Sequence, residues 1–100
     1  MRVTAWSNGS RTYGIRVGDP NRCRYFRRSW SSIEVEIGGR FCAFPLTDGF
    51  WGTCPEFRGP QIREWFRERG LVSWPKGHPP AFALVPLGGN RFRLDDCVKR

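Results

Sequence analysis

Three glycine-rich breaks divide this chain into pairs of alternating apolar runs, and that pattern limits the fold more than any other feature. Asn8-Gly9, Gly38-Gly39 and Gly88-Gly89-Asn90 all carry residues that tolerate the positive φ angles of tight hairpin turns. The first break joins about Arg2–Ser7 to Ser10–Val17. The second joins Ser32–Ile37 to Arg40–Leu46, and the third Ala81–Leu87 to Arg91–Leu94. In the second, Ile33, Val35 and Ile37 alternate with Glu34 and Glu36, the signature of a strand with one buried and one wet face. Tyr13, Ile15 and Val17 likewise oppose Thr12 and Arg16, and Phe92 and Leu94 oppose Arg91 and Arg93. Pro45 and Pro86 cannot donate to a ladder, so they should mark strand ends or edges.

One helix is expected, at about 60–69. Pro60 starts it where a missing N–H costs nothing. Ile62, Trp65 and Phe66 fall on one stripe, and Gly70 closes it as a left-handed cap. Upstream, Thr53-Cys54-Pro55-Glu56 has the capping-box pattern and predicts a short helical turn at about 54–58. The fold class is therefore α+β and β-rich. Three hairpins, about six short strands, should form a bent sheet or small barrel plugged by the one helix. A length of 100 residues suits a single domain, 1–100.

Composition narrows the partners. The chain holds five tryptophans within an aromatic content of 15%, which argues for a packed core and against disorder. It contains no apolar run near the ~18 residues that span a membrane. No hydrophobic stretch follows Met1, so a cytoplasmic location and no membrane partner are expected. Cys23, Cys42, Cys54 and Cys97 are widely spaced, and His78 is the single histidine. That spacing lacks the paired ligands of a structural zinc site, so free thiols and no metal are expected. There is no P-loop, dinucleotide glycine pattern or nucleophile elbow, and no cofactor is expected.

The formal net charge is +8. It concentrates in residues 1–40 and 71–100, while residues 41–70 balance. Such an excess favours a polyanion or an acidic protein. The densest stretch is Arg22-Cys23-Arg24-Tyr25-Phe26-Arg27-Arg28, without an acid among its residues. Unpaired guanidiniums resist burial, so this stretch should lie on the surface, in a long loop running from Gly18 to Ser31. Arginine forks match phosphate, and rings stack on bases. Arg22, Arg24, Tyr25, Arg27 and Arg28 are thus candidate nucleic-acid contacts. The bland alternative pairs these arginines with Glu34 and Glu36 and makes Tyr25 and Phe26 core anchors. Arg91 and Arg93, with Arg16 or Arg11 on a nearby strand, would extend the basic surface. Lys76 would add to it from the proline-rich loop Ser73–Pro80.

Two other readings compete. A protein-interaction module, or a small subunit of an assembly, would bind an acidic partner and use Phe50, Trp51 and Trp74 as anchors. Phe50 and Trp51 sit in the turn Asp48–Gly52, where capping the barrel end is their plainer role. A small basic ribonuclease would rest on His78, with Glu56 or arginines beside it. Glu64 and Glu68 read as a wet helix face paired with Arg63 and Arg67. The sequence therefore assigns no catalytic residue and favours a binding domain over an enzyme.

Overall fold

Alternation along the chain becomes a single seven-stranded sheet in the computed structural model, which describes residues 1–8, 12–71 and 73–96. The strands are β1 (Arg2–Ser7), β2 (Tyr13–Arg16), β3 (Ser32–Ile37), β4 (Arg40–Pro45), β5 (Glu56–Arg58), β6 (Ala81–Gly88) and β7 (Arg91–Asp96). Three helices join them: α1 (Asp19–Tyr25), α2 (Asp48–Trp51) and α3 (Pro60–Glu68).

All three expected hairpins form, as β1–β2, β3–β4 and β6–β7. Gly38 and Gly39 turn the second one with φ of 59° and 85°, angles that side chains with a Cβ rarely adopt. Pro45 ends the edge strand β4, and Pro86 sits at the register shift between β6 and β7. Gly9, Ser10 and Arg11 of the first turn lie outside the described residues.

Sheet order is β4-β3-β7-β6-β1-β2-β5. The third hairpin thus inserts between the other two. It joins the second through the parallel pair β3–β7 and the first through the antiparallel pair β1–β6. Met1 extends the β1–β6 seam, its amino group donating to the Leu84 carbonyl at 2.9 Å. The edge strands β4 and β5 approach each other, with the Phe44 and Phe57 rings 5.1 Å apart, so the sheet curls almost closed.

The concave face carries the core: Val3, Ile15, Ile33, Val35, Leu84, Phe92 and Leu94 are buried. Helix α3 inserts Ile62, Trp65 and Phe66 into it. Phe66 stacks on Phe82 at 5.6 Å and meets the edge of Tyr13 at 5.8 Å. These aromatic contacts add to the burial of large rings, which dominates cores of this size.

Three local expectations need correction. Residues 56–58 form the edge strand β5 in place of the helical turn expected at 54–58. The helix cap belongs to Thr47 of α2, not to Thr53; the Thr47 hydroxyl accepts from the Phe50 amide at 3.4 Å. A strand of three residues is too short to show alternation, and Phe57 is drawn inward to pack on Phe44. The segment Gly18–Ser31 is not one long loop, since its first half is α1. Asp48–Gly52 is mostly a helical turn, α2. With β5 the strand count among the described residues becomes seven.

Gly14 on β2 permits a close approach. A Cβ there would lie 2.5 Å from the Phe57 carbonyl oxygen and 3.0 Å from the Arg58 Cβ. Gly14→Ala is therefore expected to push β5 off β2 and cost ~1–3 kcal/mol. Urea unfolding monitored by circular dichroism checks this, and an unchanged midpoint would refute the steric account.

Candidate nucleic-acid interface

Helix α1 forms because its ends suit a helix. Asp19 and Pro20 open it, and Arg22 and Arg24 occupy its last turn, where cations favour the carbonyl end. The Asn21 side chain ties it down, donating to the Arg2 carbonyl at 2.8 Å and the Val17 carbonyl at 2.9 Å. At Phe26 the backbone turns extended, with φ −118° and ψ 143°. Its ring enters the core, stacked on Phe92 at 4.9 Å and packed on Phe50 at 5.2 Å and Trp30 at 6.1 Å. The Trp30 amide then donates to the Arg27 carbonyl at 3.0 Å, closing a turn. Arg24, Arg27 and Arg28 are left exposed on a segment that a buried ring holds in place.

The arginines of this stretch divide into two kinds. Arg22 is structural. One of its guanidinium nitrogens donates to the Phe50 carbonyl at 2.6 Å and the Gly52 carbonyl at 2.9 Å. The other pairs with Asp19 at 2.9 Å, and the side chain is only 14% exposed. It clamps α1 to α2 and is removed from the phosphate-binding set. Arg24, Arg27 and Arg28 have no acid partner among the described residues. Arg24 lies over Tyr25 at 5.8 Å and Arg28 over Trp51 at 5.6 Å. A groove of about 470 Å³ runs past Cys23, Arg24, Tyr25, Arg27 and Trp30. It offers cations and rings together, the combination that suits phosphate and bases.

Arg22→Ala is expected to destabilise the fold by about 2 kcal/mol, because two backbone carbonyls lose a charged donor. Arg22→Lys should not restore it, since an ammonium cannot serve three acceptors with the planar fork of a guanidinium. Thermal unfolding should show both variants melting ~8–16 °C lower. A melting point within error of the parent would return Arg22 to the binding set.

The expected basic sheet face is corrected. Arg91 pairs with Glu34 at 3.1 Å and Arg93 with Asp95 at 2.9 Å. The hydrogen bond and charge of Asp95 raise the Arg93 guanidinium above its ordinary value, helped by Glu36. Thus Glu34, expected as a partner for the 22–28 arginines, serves β7 instead. Arg16 does not join Arg91 and Arg93, because β6 and β1 lie between β7 and β2. Arg11 lies outside the described residues.

The interaction anchors also divide. Phe50 is 1% exposed and belongs to the core, so it cannot serve as a surface anchor. Trp51 is half-buried against Phe50, the rings 5.0 Å apart. Trp74 is half-buried, with Tyr13 and Phe66 each 6.2 Å away. Lys76 and His78 stand exposed in the same loop.

A second group has no signature along the chain. Trp6, Arg16, Glu56 and Arg58 meet across β1, β2 and β5, where Thr4 pairs with Arg16, Trp6 with Gly14, Gly14 with Arg58 and Arg16 with Glu56. The Arg58 guanidinium covers the Trp6 ring at 4.7 Å. Glu56 lies beneath, its side chain 1% exposed, with Arg16 at 3.5 Å and Arg58 at 4.0 Å. A strand at 56–58 puts Glu56 and Arg58 on one face, and that assignment is the one signal that could have revealed the group.

A small, nearly closed β-sheet with a basic, ring-lined segment on a core-anchored helix–loop defines the molecule's class. Comparison with known protein families, curated proteins and solved structures finds no match. Among the described residues no helix is long and apolar enough to cross a membrane, and no three metal-ligating side chains cluster. Cys23, Cys42 and Cys54 are free thiols; Cys97 lies outside the described residues.

Proposed function

We propose that this protein binds nucleic acid, with Arg24, Arg27 and Arg28 contacting phosphates and Tyr25 beside them. One observation carries the reading. The sheet arginines Arg16, Arg91 and Arg93 sit by acids, whereas these three find none among the described residues, although the chain places them side by side. Packing exposed like charges without acids raises the free energy of the isolated protein. Phosphates supply the missing counter-charge, and Phe26 holds the arginines without an ordering step on binding. Helix α3 is committed to the core by Ile62, Trp65 and Phe66 and is not free to read bases. Backbone contact is therefore favoured over sequence readout.

Titration of the full chain with labelled single-stranded DNA, RNA and duplex DNA across a salt series tests this. The log of the affinity should fall with the log of salt with a slope near −2 for a single strand, as expected for about three phosphates. An absence of binding at the lowest salt would overturn the proposal. Salt-insensitive capture of an acidic protein through Trp51 or Trp74 would favour the interaction-module reading instead.

A further inference from the structure

We infer that the cleft between β1 and the 73–80 loop is a stacking subsite for an unpaired nucleobase, with Arg16 and Arg58 on the adjoining phosphate. This rests on the nucleic-acid reading and narrows it to single strands. The cleft measures about 430 Å³ and is bounded by Thr4, Trp6, Arg16, Trp74, Gly77 and Pro79. That volume falls in the ~300–1,000 Å³ range of sites for small ligands. Two indoles reach it from separate parts of the chain, and both are half-buried, so neither ring is free to swing away. Trp74 is held by Tyr13 and Phe66, and Trp6 by Arg58. Aromatic surface fixed beforehand stacks with little loss of rotamer freedom.

Charge selects the occupant. Arg16 lines the cleft, Arg58 lies over the Trp6 ring that bounds it, and Lys76 is exposed in the 73–80 loop. Glu56 lies beneath both arginines, and its Oε2 accepts no hydrogen bond. One carboxylate faces two guanidiniums, so the group keeps an excess of one formal positive charge beside the cleft. An aromatic cleft of this kind also suits a proline-rich peptide, but the cationic rim favours an anionic ligand. The two sites lie close. Arg16 ends β2 and α1 starts at Asp19, which holds the Cα atoms of Arg16 and Arg24 within ~18 Å of one another. One strand of the ~4–16 nucleotides that small β-barrels cover reaches both.

The test compares two ligands on the unmodified chain: an oligo(dT) of about eight nucleotides and the same backbone with abasic spacers replacing the bases. The abasic strand keeps its phosphates and should bind ~10-fold or more weakly. Trp6→Leu should weaken the intact strand by a similar factor and leave the abasic strand unchanged, the signature of a coupled pair. If Trp6→Leu fails to fold, Tyr25→Leu decides: an abasic penalty that survives it belongs to the cleft, and one that it abolishes overturns the subsite. Equal affinity for both strands, with salt dependence retained, would overturn the stacking subsite and leave the arginine–phosphate reading standing. Failure of both strands to bind would overturn the stacking subsite, and the nucleic-acid reading falls with it only where RNA and duplex DNA fail as well. Displacement of a bound strand by a proline-rich peptide at similar concentration would assign the cleft to peptide and overturn the inference.

Discussion

Replacing Arg24, Arg27 and Arg28 together with alanine should lower affinity for single-stranded nucleic acid at least ~100-fold, taking about 1 kcal/mol or more for each guanidinium–phosphate interaction removed. The salt slope should flatten by about 2 at the same time, because three fewer counterions leave the strand. The fold should be untouched. All three side chains are exposed and lack an acid partner among the described residues, and such surface changes shift stability by about 0.5 kcal/mol or less. Arg91→Ala is the matched control. It removes one cation of the same kind, yet that cation is already neutralised by Glu34 at 3.1 Å, and a surface pair of this sort is worth ~0–1 kcal/mol. Anisotropy titration of both variants separates local phosphate contact from bulk charge. An equal loss per arginine removed in the two variants would show that net charge alone drives binding.

Phe26→Ala should cost ~3–5 kcal/mol, the range for deleting a fully packed aromatic from a core. The ring is 6% exposed and touches Phe50, Phe92 and Trp30. No other buried residue of α1 could refill the space, since the helix itself buries none. In a domain with total stability of roughly 5–15 kcal/mol, that loss brings the protein near its threshold. Denaturant unfolding reads the stability. Affinity measured below the midpoint, on the fraction still folded, should also fall, because the arginines lose their anchor and must be ordered on binding. A drop in stability with unchanged affinity would show that the arginine segment is positioned by Asn21 and Arg22 alone.

The hairpins, their arms and α3 are legible along the chain because each depends on neighbours in sequence. Ile33, Val35 and Ile37 alternate with Glu34 and Glu36 in the order of residues as they do in β3. Pro60, Ile62, Trp65 and Phe66 mark both the start and the buried stripe of α3. Helix α1 is legible in part: Asp19 and Pro20 are start signals, but seven residues without a buried position leave no apolar period to read. The arginine-rich stretch stands out by composition, and its exposure follows from the cost of burying unpaired charge.

Partnership is not legible in this way. Arg22 and Arg24 are alike in sequence, yet one clamps Phe50 and Gly52 while the other faces solvent. Arg91 reads as a free cation until β7 is laid parallel to β3, where Glu34 meets it. Glu56 reads as a helix-capping acid until β5 pairs with β2 and sets it beneath Arg16 and Arg58. Hairpin order decides all of this, and that order depends on long-range pairings whose energies are spread over many residues and leave no local pattern. Period and turn chemistry act over a few residues, so three hairpins, a buried helix and a basic exposed segment follow from the order of amino acids. Which arginines meet acids and which stay open to a ligand follows from the folded arrangement, because an ion pair depends on distance in space and not along the chain.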